Sequence, residues 1–197
     1  MAMGRPRTFD VDEAVRAALR LFIAKGYEGA SSGELASVMG ISPPSLHAAF
    51  GNKEGLFRRA LDAYAGMNGP IIAQACAKQT SRSAVEAYLC GNADALTDPA
   101  KPAGCLLVQG ALACGDRASP IREELARQRA SAEPVLKARF EAARDAGDLP
   151  PDTDPTRLAR YVAAVSQGMA VQASGGSTRA ELQDVIEAVL DTWPGRA

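Results

Sequence analysis

The chain has 197 residues, a length that fits one large domain or two small ones. Hydrophobic residues make up 47% and charged residues 23%, which indicates a packed globular protein rather than a disordered chain. Aromatic residues are only 5% while alanine is abundant, a mix that favours helix over sheet. The net charge is −1, with a mild basic excess in residues 1–60, so charge alone does not predict a nucleic-acid partner.

The sequence also argues against membrane, secreted and enzymatic classes. No apolar run approaches the roughly 18 residues that a membrane span needs, and no apolar stretch follows the first arginines as in a secretion signal. We therefore expect a cytoplasmic protein with no membrane partner. The single histidine, His47, lies in a short helix whose exposed surface is assigned below to binding rather than to catalysis. We therefore expect no Ser–His or Cys–His nucleophile pair and no His-based metal hydrolysis. We predict that the chain is not an enzyme and uses no metal or cofactor.

Four cysteines, Cys76, Cys90, Cys105 and Cys114, are widely spaced, and none forms a Cys-x-x-Cys pair. This spacing argues against a zinc site. In a reducing compartment we interpret the cysteines as small buried apolar residues. A redox-sensing thiol stays open as an alternative, because reactivity depends on exposure and pKa, which the sequence does not give.

Apolar residues recur at helical spacing throughout, and no alternating strand pattern is present, so we predict an all-α fold. The first helix runs from about Asp10, its N-cap, to Lys25, and Gly26 ends it. Gly66, Gly69 and Pro70 interrupt or kink the helix that starts at Lys53. The predicted helices are 10–25, 32–39, 42–50, 53 to at least 64, 83–96, 103–115, 119–146, 154–174 and 178–192.

The segment Ser31–Phe50 has the pattern of two short helices crossing near a right angle. Gly40 supplies the backbone freedom for the tight turn between them, and Ala36 is small where the helices approach each other. Ser31 and Glu34 have capping-box spacing at the start of the first helix. The second helix begins at a capping serine followed by two prolines in its first turn. The apolar contacts are predicted to be Leu35, Met39, Ile41 and Leu46.

Once those apolar residues are buried, the second helix presents a slim, nearly neutral surface suited to the major groove of DNA. The alternative is a packed helical hairpin that binds nothing. Lys53 at the first turn of its helix indicates a phosphate docked on that helix end, although a lysine extended into solvent fits as well. Arg5 and Arg7 form a short basic arm that reaches DNA or is merely solvated.

Residues 9–64 resemble the tetracycline-repressor (TetR) family, and the match is dense from Phe22 to Leu61. The resemblance is in Leu21-Phe22, Gly26-Tyr27, Ser31, Leu35-Ala36, Gly40-Ile41-Ser42, Ser45-Leu46, Phe50 and Lys53-Glu54-Gly55-Leu56-Phe57. A weaker similarity to C-terminal domains of one branch of the family covers Gly104-Cys105-Leu106-Leu107-Val108 and Gly168-Met169-Ala170-Val171.

The resemblance implies a homodimer that represses or activates promoters: it binds double-stranded operator DNA and releases it when a small-molecule effector binds its C-terminal domain. Phosphate contacts of the family fall on Ser32, His47 and Lys53, and base contacts on Gly33, Pro43, Pro44 and Ser45. We also predict that the caps Ser31 and Ser42 belong to the DNA-binding site. The family usually has tyrosine at His47 and threonine at Ala30. Because histidine gains charge near neutral pH, we predict that DNA affinity rises as pH falls from about 8 to 6.

We predict an N-terminal arm and helix-turn-helix domain in residues 1–52, a connecting helix in 53–80 and a helical ligand-binding and dimerisation domain in 81–197. The candidate polar groups of the ligand pocket are Tyr88, Gln109, Gln167 and Gln172. A dimer interface, or alternatively a core within one chain, is predicted from the apolar stripes of the last two helices. These stripes are Leu158, Tyr161, Val162, Val165, Met169, Leu182, Val185, Ile186, Val189 and Trp193.

A helical interaction module that does not bind DNA is the remaining alternative function. A salt titration separates the two, because phosphate contacts weaken steeply as salt rises.

Overall fold

A computed structural model describes residues 9–99, 105–108 and 119–195, and within these ranges the regular secondary structure is helical throughout. The all-α prediction is therefore confirmed. A single further turn of helix lies at 106–108. In chain order the helices are α1 (Val11–Gly29), α2 (Ser32–Val38), α3 (Pro43–Phe50), α4 (Lys53–Cys76), α5 (Ser81–Leu96), α6 (Ser119–Ala130), α7 (Ala132–Asp145), α8 (Pro155–Ser174) and α9 (Arg179–Asp191).

The start of α1 follows the predicted cap. The Asp10 carboxylate accepts hydrogen bonds from the backbone N–H groups of Asp12 and Glu13, at 2.9 and 3.0 Å. These bonds satisfy donors that have no partner within the helix. At the other end Gly26 takes a positive φ of 71°, so the regular helix stops there as predicted, and one more helical turn follows to Gly29.

The connecting helix α4 runs through the residues expected to interrupt or kink it. Gly66, Gly69 and Pro70 all lie inside it, and all three are exposed. Proline normally clashes with the carbonyl four residues earlier, which here belongs to Gly66 on the solvent side of the helix. The helix nevertheless continues through Pro70 without a break, and it links the N-terminal half of the molecule to the C-terminal half.

The prediction of one helix over 119–146 is wrong in detail, because Ser131 separates α6 from α7. Pro134 explains the separation. It falls in the first turn of α7, where its missing N–H costs little, and it cannot donate to the carbonyl of Ala130 as a continuous helix requires. Most of the predicted helix 103–115 lies outside the described residues.

The buried residues form two apolar clusters. The first joins α1, α2, α3 and the beginning of α4, and Leu106, Ile121 and Leu125 from the C-terminal half complete it. The second joins the end of α4 to α5, α7, α8 and α9. The N-terminal core therefore depends on three side chains that are remote in sequence, and the predicted boundaries at residues 52 and 80 stay predictions.

Candidate nucleic-acid interface and effector cavity

Helices α2 and α3 form the predicted helix-turn-helix. Leu35, Ala36, Met39 and Leu46 are buried in the N-terminal core. Gly40 between the helices has a φ of 65°, the left-handed region that glycine adopts without a steric penalty. The sequence prediction of the turn and of its apolar contacts is therefore confirmed, and α2 and α3 are fixed to α1 through their buried faces.

A capping box closes the N-terminus of α2. The Ser31 hydroxyl accepts from the backbone N–H of Glu34 at 3.2 Å, and the Glu34 carboxylate accepts from the backbone N–H of Ser31 at 3.0 Å. Lys25 of α1 forms an ion pair with the same carboxylate. Hydrogen bonds from Lys25 and Ser31 lower the pKa of Glu34 to about 2. The start of α2 is thus tied both to its own cap and to α1.

The N-terminus of α3 is capped by Ser42, whose hydroxyl accepts from the backbone N–H of Ser45 at 3.3 Å. The hydroxyl groups of Ser42 and Ser45 are 2.9 Å apart. Pro43 and Pro44 occupy the first turn, and their side chains are exposed, as is His47 one turn later. This end of α3 is therefore slim, polar at its cap and free of long side chains.

Lys53 begins α4 and reaches back to the end of α1. Its Nζ lies 4.6 Å from the centre of the Tyr27 ring and donates to the carbonyl oxygen of Glu28 at 3.3 Å. Tyr27 in turn packs edge-on against Phe57, with ring centres 5.0 Å apart. The contacts with the Tyr27 ring and the Glu28 carbonyl hold the ammonium group of Lys53 beside the helix-turn-helix.

The structure brings the predicted DNA-contacting residues of α2, α3 and α4 into one N-terminal unit. Lys53 and Ser45 are half-buried, and the others among the described residues are exposed: Ser31, Ser32, Gly33, Ser42, Pro43, Pro44 and His47. Arg5 and Arg7 lie outside the described residues. The individual roles of these residues in contacting phosphates or bases stay predictions.

A cavity of about 420 Å³ lies between the N-terminal unit and the C-terminal helices. One wall comes from α1, with Leu19 and Ile23 among its residues, and another from the middle of α4. The remaining walls come from α5, the 105–108 segment, α6, α7 and α8. The volume lies within the roughly 300–1,000 Å³ range of small-molecule pockets, and most of the lining side chains are apolar.

Two of the four polar residues predicted for this pocket line it, namely Tyr88 and Gln167. Gln172 is exposed and is not part of the wall. It follows Gln167 by five positions, which turns a side chain by roughly 140° around a helix, away from the cavity. Gln109 lies outside the described residues.

Sequence reasoning missed the polar groups that α4 contributes to the cavity. Tyr64 and Asn68 line it, and the Tyr64 hydroxyl donates to Cys105 Sγ at 3.0 Å. Burial raises the pKa of the Tyr64 hydroxyl, so it remains a neutral donor. A clue was available, because α4 carries these residues at i and i+4, on one helix face.

The cysteines are predicted to be small buried apolar residues, but the described ones, Cys76, Cys90 and Cys105, are only half-buried; all three are unbridged. Burial raises the pKa of the Cys76 and Cys90 thiols, which keeps them in the less reactive protonated form. Cys114 lies outside the described residues. In the described part of the chain, no group of three or more His, Cys, Asp or Glu side chains is placed to hold a metal ion.

Most of the apolar stripe on α8 and α9 belongs to the chain's own core. Leu158, Val165 and Val185 are half-buried against that core, and Tyr161 is 44% exposed. Trp193 donates from Nε1 to the buried hydroxyl of Ser81 at 3.1 Å. The alternative interpretation, a core within one chain, therefore accounts for the side chains that are fully covered: Val162, Met169, Leu182, Ile186, Val189 and Trp193.

These features together define a class: an all-α regulator in which a helix-turn-helix unit is joined to a helical unit with a ligand-sized cavity. Residues 14–60 match the family model "Bacterial regulatory proteins, tetR family", and residues 81–189 match "Tetracyclin repressor-like, C-terminal domain". The chain belongs to the tetR family of bacterial regulatory proteins and is a DNA-binding transcriptional regulator. The resemblance found in the sequence is thus confirmed.

Curated relatives and a solved structure support the same assignment. The HTH-type transcriptional repressor ComR of Escherichia coli K12 is 34% identical, with 97% of this chain and 92% of that repressor aligned. Over 63 residues, about 32% of each chain, identity with the repressor BdcR of the same organism is 51%. A cysteine mutant of the TetR family regulator CifR, solved with 26-bp operator DNA, is 38% identical with a TM-score of 0.92, covering 97% of this chain and 100% of that one.

None of the described helices combines the length and low polarity that crossing a membrane requires.

Proposed function

We propose that this protein is a repressor that binds operator DNA as a homodimer and is released when a small molecule enters the cavity. The observation that carries the proposal is the position of the cavity against α1, the helix on which the helix-turn-helix packs. A molecule that fills the cavity contacts both units of the chain at once. Its binding energy can therefore favour one placement of α3 over another.

The DNA-binding half of the proposal rests on the exposed end of α3. Pro43, Pro44 and the paired hydroxyls of Ser42 and Ser45 allow close approach to base edges and thymine methyl groups. Lys53, held beside Tyr27, is suited to a phosphate contact that positions the unit without reading sequence. ComR and BdcR are named repressors, and the CifR complex contains operator DNA, which supports the same role here.

The homodimer rests on the outward face of α8. Tyr161 is 44% exposed, and Leu158 and Val165, three positions before it and four positions after it on the same helix face, are only half-covered. Large apolar side chains on one exposed helix face favour association with a second copy. Two copies would place two α3 helices on one duplex, as helix-turn-helix dimers do at half-sites about one helical turn apart.

The test is to select bound sequences from a random duplex pool with the full chain and then to measure affinity against salt concentration. We expect a two-fold symmetric site and a logarithmic slope of about −0.9 for each phosphate contacted. Light scattering gives the number of chains in each complex. A flat salt dependence, or no selected sequence, would instead identify a helical interaction module.

A further inference from the structure

The described wall of the cavity contains three cationic side chains and no aspartate or glutamate. Arg16 and Arg20 come from α1, and Arg129 comes from α6. Most of the other lining side chains are apolar or neutral polar groups. A wall with charge of one sign creates a potential that attracts the opposite charge. The chemistry of the site therefore has two parts, an apolar body and a cationic portion.

Arg16 and Arg20 are one helical turn apart, so they project from the same face of α1. Both are exposed, and no ion pair in the described part of the chain neutralises either guanidinium. Arg16 does act on one carboxylate, since its charge contributes to lowering the pKa of Asp10. Among the described residues, neither guanidinium at the cavity is in an ion pair.

Arg129 is held differently, by a hydrogen bond from its Nη1 to the carbonyl oxygen of Leu107 at 2.6 Å. The residue is half-buried, and both Arg129 and Leu107 line the cavity. A guanidinium has five N–H donors in a rigid plane, so one bond fixes its orientation and leaves others for a ligand. A preorganised arginine of this kind suits a carboxylate, which it can bind through two parallel hydrogen bonds.

We infer that the effector is an amphipathic organic anion, an acid group on an aliphatic or aromatic body. The inference rests on the proposed function, which makes this cavity the effector site. The acid group engages the arginines of α1 and α6, while the body packs on Ile71, Ile72 and Val135. Because α1 belongs to the DNA-binding unit, the charge of the ligand acts directly on the helix that supports α2 and α3.

Three probes test whether the site prefers an anionic ligand: decanoate, decanol and decylamine. They share a ten-carbon alkyl chain and differ only in the head group. Their binding to the full-length protein is measured by calorimetry below their micelle concentrations. We expect decanoate to bind about tenfold or more tightly than decanol, the effect of one charge-assisted hydrogen bond, and decylamine to bind least. Equal or tighter binding of decanol or decylamine, or no binding of any probe, would overturn the inference.

Variants of the cavity arginines identify which of them bind the acid group of the ligand. Arg129→Gln, and separately the double variant Arg16→Gln/Arg20→Gln, should each lose about tenfold or more in decanoate affinity and leave decanol binding within about twofold. Arg59→Gln is the matched control, because Arg59 is exposed on the adjacent helix α4 and does not line the cavity. If all variants bind decanoate like the wild type, the inference fails.

A charge-reversal variant distinguishes a lost binding site from a misfolded protein. Arg16→Glu/Arg20→Glu should bind decylamine more tightly than the wild type does, a gain that an unfolded protein cannot produce. Operator binding is measured in the same preparations without any probe. If the wild type binds operator DNA but does not prefer decanoate, the inference of an anionic effector is wrong and the proposed DNA-binding function is unaffected. If the wild type does not bind operator DNA, the proposed function itself is refuted.

Discussion

Gly55, in the first turn of α4, lies where a side chain has no room. A Cβ at this position would lie 2.2 Å from the carbonyl oxygen of Phe50 and 3.4 Å from its carbonyl carbon. The obstacle is backbone at the end of α3, which cannot rotate away as a side chain can. In Gly55→Ala, α3 and α4 must therefore separate, by roughly 1 Å if carbon and oxygen are to reach normal contact distance.

Two opposing effects set the size of the change. Forcing a methyl group into a packed site costs about 1–3 kcal/mol, whereas alanine gains up to about 1 kcal/mol over glycine in a helix. Because the clash involves rigid backbone, the cost dominates, and we expect a net loss of about 1–2 kcal/mol. In a chain of this length that lowers the melting temperature by roughly 2–8 °C. Duplex affinity should also fall, because Lys53 and α3 change their relative positions.

Gly66→Ala is the control, since Gly66 is in the same helix and a Cβ there meets nothing within 4 Å. We expect it to raise the melting temperature slightly and to leave duplex affinity unchanged. Circular dichroism gives the melting temperatures, and fluorescence anisotropy with the selected duplex gives the affinities. If Gly55→Ala melts at or above the wild type and binds DNA equally well, the close approach of α3 to α4 is not a constraint.

Further predictions concern the DNA-facing side chains. Lys53→Ala should weaken binding to all duplexes and reduce the salt slope by about 1, whereas Ser45→Ala should alter base preference. Fluorescence anisotropy with a panel of mutated DNA sites distinguishes the two effects. Equal losses for all sites in both variants would contradict these roles. Gly33→Ala should fold normally, because its Cβ meets nothing within 4 Å, yet bind DNA less tightly if the duplex approaches the backbone there. Since hydrogen bonds hold the pKa of Glu34 at about 2, its stabilisation is present above about pH 4.5 and lost as pH falls toward 2. Glu34→Gln should therefore melt below the wild type at pH 6 and approach it at pH 2, whereas a constant difference would exclude the ion pair as the cause.

The N-terminal unit was predictable because its signals are local. The Ser31 and Ser42 caps, Gly40 and the apolar residues of α2 and α3 act within a few positions of the chain, and the structure confirms them. The effector cavity was not predictable in the same way. Arg129 is fixed by Leu107, 22 positions away, and Tyr64 donates to Cys105, 41 positions away.

The sequence pattern also could not predict which apolar side chains of the C-terminal half are buried within the same chain. A stripe of apolar residues on α9 is equally compatible with a partner subunit and with the chain's own core. The structure distinguishes them for Leu182, Ile186 and Val189, which are covered by the rest of the same chain. Neither periodicity nor composition contains that information, because it depends on which helix packs where.

The core of the DNA-binding unit is completed by Leu106, Ile121 and Leu125, which lie more than 40 positions beyond the last α4 residue of that core, Leu61. This has a consequence for protein engineering. A chimera that grafts residues 9–64 onto another regulator would leave those three positions to be filled by foreign side chains. A functional graft would need to transfer them together with the N-terminal segment, so the transferable unit is discontinuous in sequence.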